Sequence, residues 1–212
     1  MAESATSISD VTAALTAPGQ LFEMEEVVIR GLRTRTWKNA PPSLRAVLES
    51  SRAHGKADFL VYEDDHVSFE QHFRAVATLA HRLVDEHGVR PGDRVAIAMR
   101  NFPEWSIAFW AAASVNAVVV PLNAWWTGPE LEYGLADSGS IALFCDGERA
   151  ERLADHLPGL EALRTTIVAK VEPGISLPAG AVTFEDAIER QTLPGPTSSP
   201  STRMSASSQH CA

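Results

Sequence analysis

The chain has 212 residues, 45% of them apolar and 21% charged, with a formal net charge of -9. That length can bury a core, the composition is not that of a disordered protein, and the acidic balance excludes a basic footprint for nucleic acid, the group Arg30, Arg33, Arg35 and Lys38 being short. Two cysteines, Cys145 in an apolar run and Cys211 near the end, make neither a disulfide framework nor a metal knuckle, so a reducing, cytoplasmic setting is expected.

Residues 1–42 read as an N-terminal arm: a short helix near Ser9 to Leu15, a turn at Pro18-Gly19, a strand-like Glu26 to Arg30, and a stop at Pro41-Pro42. The first ten residues carry Glu3 and Asp10 and no base, which does not fit a secretory signal. A helix is expected from Ser43, with Leu44, Val47 and Leu48 on one side, ending by Gly55.

Phe59 to Tyr62 reads as a strand, Glu63 to His66 as a turn, and Val67-Ser68-Phe69 as the lead into a helix whose Ser68 and Gln71 have capping-box spacing. Phe69, Phe73, Val76, Ala80 and Leu83 then recur at steps of three and four on one stripe, and Gly88 stops the helix. After turn chemistry at Val89 to Asp93, Arg94 to Met99 reads as a buried strand. Pro103 and Glu104 suit the first turn of the next helix, since proline has no amide to leave unpaired there and the carboxylate meets the positive dipole end.

The apolar run from Ile107 to Leu122 is interrupted by Ser114 and Asn116 and falls short of the roughly 20 residues that cross a bilayer. It reads as the end of a helix followed by a strand, and β-branched Val118-Val119-Val120 predicts that strand to be central in its sheet. Thr127 and Glu130 repeat the capping-box spacing and open a helix through Ala136, followed by a strand at Ile141 to Phe144. A polar-faced helix over Glu148 to Leu157, a strand at Thr166 to Ala169 and a short helix over Phe184 to Gln191 complete the alternation. After Glu189 the chain has no Asp or Glu and is rich in Pro and Ser, so residues 193–212 are expected to form a disordered tail. The alternation predicts an α/β fold, a Rossmann-like strand-helix half-domain over residues 43–192 with a mostly parallel sheet.

Motifs for chemistry are scarce. No two of the 13 glycines are two residues apart, so the dinucleotide fingerprint is absent. Gly134 and Gly139 have the offset of a phosphate-binding loop, but Ser140 stands where its lysine belongs and the segment lies in an expected helix. The seven histidines show no paired ligand spacing, and His81 and His87 lack a second cluster to complete a metal shell. Ser106, Ser114 and Ser138 have no nucleophile-elbow context. Trp125-Trp126 either lines a ligand or partner groove or packs against the arm, the second being the simpler expectation.

An ordered set of segments carries more. These are Val67-Ser68-Phe69-Glu70-Gln71, the run from Gly88 through Arg94 to Ala96, Asn101-Phe102-Pro103-Glu104-Trp105, Val119-Val120-Pro121-Leu122-Asn123, then Glu130-Leu131 and Asp137-Ser138-Gly139. In this order they resemble the N-terminal part of the adenylate-forming acyl-CoA synthetase (AMP-binding) superfamily, over about 190 residues with the arm included. The detail from Asn123 to Pro129 is most similar to actinobacterial-type carboxylate CoA ligases.

The resemblance implies a two-step reaction in the full-length family, which uses ATP, Mg²⁺ and coenzyme A: a carboxylate attacks the α-phosphate of ATP, and the thiol then displaces AMP. It also implies a Thr-Ser-Gly-Thr-Thr-Gly-x-Pro-Lys-Gly phosphate loop, a metal-binding glutamate, a ribose-binding aspartate and a catalytic lysine, none of which has a counterpart in these residues. No catalytic, cofactor-binding or metal residue is therefore assigned, no cofactor is expected to bind this fragment, and the chain is expected to be inactive alone. With GC-rich codons chosen for Pro196 to Ser205, reading one base over can yield an acidic segment similar to the linker before that loop, and on this hypothesis the gene is expected to continue in another frame. A half-fold of this kind is expected to leave apolar surface near Trp110, Trp125 and Trp126 for a protein partner. The rival readings are a non-enzymatic interaction module and a free-standing nucleotide or acyl-ligand binder.

Overall fold

The computed structural model describes residues 7–172, 174 and 176–189. Within the arm, Ser7 caps α1 (Ile8–Leu15) in a capping box with Asp10. A hairpin follows, β1 (Met24–Ile29) against β2 (Leu32–Trp37), turning at Arg30-Gly31, both with positive φ. No residue from 7 to 42 is buried. The second strand was not expected from the sequence, although a two-residue turn ending in glycine between two strand-length runs is a hairpin signal.

Next come α2 (Leu44–Ser51) and a second hairpin, β3 (Asp58–Tyr62) with β4 (Asp65–Ser68), so the segment read as a turn and helix lead-in is half strand. Ser68 and Gln71 close the expected box at the start of α3 (Phe69–Asp85). The buried face of α3 is His72, Val76, Leu79 and Leu83. It is rotated slightly from the expected stripe because Phe69 turns aside to stack on Phe59 and His54, with centroids 4.5 and 4.6 Å away.

The rest is a doubly wound sheet. β5 (Arg94–Ala98), α4 (Pro103–Ser114), β6 (Val118–Pro121), α5 (Gly128–Ser138), β7 (Ala142–Asp146), α6 (Gly147–Leu153), β8 (Thr165–Ala169), β9 (Val182–Thr183) and α7 (Phe184–Glu189) follow in turn. The five strands are all parallel in the order β6-β5-β7-β8-β9. The side-chain period of two sends Val95, Ile97, Phe144 and Ile167 into one core with α2, α3, α4 and α7. It sends Ala96, Ala98, Leu143, Cys145 and Val168 into a second core with α5 and α6.

Three expectations are corrected. β6 is not central: it pairs only with β5 among the described residues, and Val118 is 50% exposed. A β-branched run reports fitness for a strand and not its place in the sheet. α6 ends at Leu153 rather than Leu157, and a short 3₁₀ turn at Leu157–Gly159 follows it. The two-residue β9, too short to show a period, was not expected. The C-terminal tail, 193–212, and the last residues of the helix expected through Gln191 lie outside the described residues. Among the described residues, no helix is long and apolar enough to cross a membrane.

Candidate functional site

In a parallel sheet of this winding the strand order reverses between β5 and β7. The helices that leave those two strands depart to opposite faces and open a crevice at their carboxyl ends. The cavity there measures about 930 Å³. Its walls are the tip of the β3–β4 hairpin (Tyr62, Glu63, Asp65), the residues after β5 (Arg100, Asn101, Phe102), those after β6 (Asn123, Ala124, Trp125) and those after β8 (Lys170, Glu172).

A buried ion pair ties these strand ends together. Asp146, the last residue of β7, caps α6 by accepting from the Arg149 amide at 3.0 Å, and it accepts from the Arg100 amide at 3.0 Å. The Arg149 side chain is 1% exposed. It donates to both Asp146 carboxylate oxygens at 3.1 and 3.2 Å and to Glu148 at 2.8 Å, while its Nε donates to the Ala124 carbonyl at 2.6 Å. Its Nη2 is buried with no partner. The exposed indole of Trp125 lies beneath the Arg100 guanidinium at 5.1 Å from its centroid and 6.0 Å from that of Arg149.

On the opposite wall, Lys170 leaves β8 with a φ of 50°. Its ammonium is 3.3 Å from Glu104, in the first turn of α4, and 3.9 Å from Asp65. The second Glu104 oxygen is buried and unpaired. Behind this wall His72, buried, shares a hydrogen bond with Ser106 at 3.1 Å, and burial pushes its pKa down to about 4. No carboxylate completes this pair among its described hydrogen bonds, so it does not make a nucleophilic triad.

The candidates singled out from sequence are dispersed. Gly134 lies inside α5, where an added Cβ would stand 3.0 Å from the Trp126 ring and 3.1 Å from Leu122; it permits helix packing. Gly139, at φ 59°, ends α5. Ser140 is buried, its hydroxyl 2.7 Å from that of Ser138. His81 is exposed on α3, and His87 has its pKa lowered by burial. The Ser114 hydroxyl is buried without a partner. Cys145 is buried in the second core, and burial pushes its thiol far up, which suits packing and not nucleophilic attack.

Trp125 lines the crevice and not the arm, against expectation, because two guanidinium groups hold it there; Trp126 packs on the second core. Trp110 is likewise half-buried on the first core, so the exposed apolar surface expected around three tryptophans is narrower there. It is broader on the arm, at Leu21, Val28, Leu32 and Trp37, and at Val118 on the sheet edge. Among the described residues no group of three or more His, Cys, Asp or Glu is placed to hold a metal ion. Of the acids that line the crevice, Asp65 faces Lys170, whose stronger partner is Glu104 behind the wall, so this lining offers no carboxylate cluster that fits the Mg²⁺ of the resembled family.

Arg100, Asp146, Arg149 and Lys170 were not singled out from sequence. The available signal was position: Arg100, Asp146 and Lys170 fall at the point where an apolar strand run ends, which is the ligand edge of a parallel sheet.

A family model described as AMP-binding enzyme matches residues 47–203, about three-quarters of the chain. A feruloyl-CoA synthase of Amycolatopsis is 46% identical over 81 residues, 38% of this chain and 16% of the relative. A medium/long-chain-fatty-acid and 3-oxocholest-4-en-26-oate CoA ligase of Mycobacterium marinum is 30% identical over 111 residues, 52% of this chain and 20% of the relative. The chain thus spans about a fifth or less of these relatives. Among solved structures, an anthranilate CoA ligase in complex with anthranoyl-AMP superposes with a TM-score of 0.63 at 22% identity, covering 72% of this chain and 28% of that one, a likeness of fold.

Proposed function

The chain belongs to the AMP-binding enzyme family, and from that membership we propose that it is the N-terminal part of an ATP-dependent acyl-CoA ligase, unable to complete the reaction by itself. The observation that supports the second half is chemical. Adenylation builds negative charge on a triphosphate as it is cleaved, which calls for a cradle of backbone amides and a cation. The 212 residues contain no glycine-rich loop of that type. The two cations at the crevice are already engaged, Lys170 by Glu104 and Asp65 and Arg100 by the Trp125 face.

In this reading residues 1–42 are an arm, 43–192 a partial AMP-binding domain and 193–212 a tail. The fragment itself binds no ATP, Mg²⁺ or coenzyme A, and it works in the cytoplasm without contact to nucleic acid. The acids named for its relatives, feruloyl, fatty and steroid, differ in shape and do not select a substrate here. The test is hydroxamate trapping of acyl-adenylate by the purified chain with ATP, Mg²⁺ and a panel of carboxylic acids. The expected result is a blank for every acid, and trapped hydroxamate with any one of them overturns the proposal.

A second reading, an interaction module that binds a partner protein, is favoured by the apolar side chains that the arm leaves in water: Val28, Ile29, Leu32 and Trp37. Co-elution with a full-length ligase, abolished by Leu32→Ser with Trp37→Ser, supports that reading, and separate elution removes it.

A further inference from the structure

We propose that Lys170 is a latch that holds the tip of the β3–β4 hairpin against the sheet and so fixes one wall of the crevice. The inference stands on geometry and does not depend on the ligase reading.

A two-stranded hairpin is marginal by itself, so what anchors it can be asked end by end. Its base is anchored on the start of α3: Phe59 lies 4.5 Å from Phe69 and 4.7 Å from His72, and Phe69 donates its amide to the Ala57 carbonyl at 3.1 Å. Its tip is held differently. The last register pair is Tyr62 with Asp65, closed by Glu63 at φ 53°. Both members of that pair meet the Lys170 ammonium, Asp65 at 3.9 Å and the Tyr62 ring at 5.6 Å from its centroid. A second tip contact, Tyr62 edge-on to Phe102 at 5.5 Å, leads back to the same helix start.

Lys170 is suited to this task by where it stands and by what holds it. It is the first residue past the carboxyl end of β8, and its backbone takes the left-handed conformation that residues with a Cβ rarely adopt. Such a conformation persists where surrounding contacts require it, and here the ammonium reaches three elements at once. Glu104 is its stronger partner: 3.3 Å away, 14% exposed, with one oxygen buried and unpaired. Removing the ammonium leaves that carboxylate half-buried with no cation near it, which disfavours the closed arrangement. The latch therefore joins a fixed point on α4 to a movable tip on the hairpin, and releasing it widens the crevice on one side without disturbing the sheet.

Amide hydrogen exchange of the full chain tests this. Lys170→Met keeps the stem and removes the charge; it is expected to speed exchange about tenfold at the hairpin tip, residues 61–66, and to leave α3 and the sheet strands unchanged. Lys170→Gly relieves the backbone conformation and is expected to loosen the tip equally, which separates the ammonium from the strain. Glu104→Gln is expected to give the same local effect, with no further loosening when combined with Lys170→Met. Tip exchange that stays at the wild-type rate in the lysine variants, or that rises together with exchange in β5 and β7, overturns the proposal. So does a double variant that loosens the tip by the product of the two single effects.

Discussion

At the amino end of the sheet the guanidinium of Arg94 donates to the carbonyls of Ser138 at 2.9 Å, Gly139 at 3.2 Å and Gly92 at 3.3 Å, closing the last turn of α5 onto the first residue of β5. At the carboxyl end of the same strands, Arg149 keeps one nitrogen and Glu104 one oxygen buried without partners, Lys170 sits in a left-handed backbone, and Trp125 is 70% exposed. The first end bonds its guanidinium fully and leaves only the neutral Ser114 hydroxyl buried without a partner, whereas the second keeps atoms of charged groups buried and unpaired. Two of the family-like segments, around Arg94 and around Ser138-Gly139, meet at the amino end, so that part of the resemblance reports how the fold is closed. Charged groups with buried unpaired atoms are kept at the other end, where a parallel sheet receives ligands.

The sharpest way to break this comparison is Asp146→Ala. It leaves the Arg149 charge buried and removes the α6 cap and the bond to the Arg100 amide, which together are expected to cost about 3–5 kcal/mol in urea unfolding. The exposed pair Arg33–Glu26 on the arm has the same charges and is expected to contribute less than about 1 kcal/mol. If the two deletions cost the same, burial at the carboxyl end has no special weight and the contrast fails.

Protonation gives a second handle near the same end. The pKa of His72 is pushed down to about 4 by burial, with the hydrogen bond to Ser106 opposing. An unfolded chain binds that proton near pH 6.5 and the folded chain does not until about 4, so stability falls as pH drops through this window, by about 2 kcal/mol at pH 5. Asp10, Glu23 and Glu130 are held below the ordinary carboxylate range by hydrogen bonds, first among them those from the Ser7 hydroxyl, the Gly19 amide and the Thr127 amide respectively, and lose their contribution at lower pH. His87, whose pKa burial also lowers, is common to both proteins when wild type is compared with His72→Gln. The difference in unfolding free energy between pH 7 and pH 5 is expected to shrink in the variant, and equal pH slopes would show that His72 is not the group that senses acid.

How much of this could be read from residues alone depends on range. Ser68 with Gln71, Thr127 with Glu130, Pro103 at a helix start and the apolar runs at Arg94 and Ile141 are local signals, and they give α3, α4, α5, β5 and β7 nearly in place. β4 and β9 are short and defined by the strands beside them, and the outer position of β6 follows from strand order, which no local pattern encodes. The crevice is less legible for the same reason. Lys170, Glu104 and Asp65 come from three elements separated by up to about a hundred residues of chain, and tertiary packing alone brings them within reach.

The smallest expected effects lie at the closed end and show how its parts cooperate. Arg94→Met removes three bonds to carbonyls that water can partly reach, a loss of about 1–2 kcal/mol. Gly139→Ala puts a side chain at φ 59°, a strain of about 1 kcal/mol, and sets its Cβ 3.1 Å from Arg94 Nη2. That guanidinium nitrogen is the far end of a flexible side chain, so the alanine also displaces the bond it makes to the Gly139 carbonyl. Once Arg94 is methionine, neither the close contact nor that bond exists to be lost, and only the backbone strain remains. The double variant is therefore expected to be more stable than the sum of the two single losses by a few tenths of a kcal/mol. Strict additivity in thermal unfolding would mean that Arg94 and the end of α5 do not share one cap.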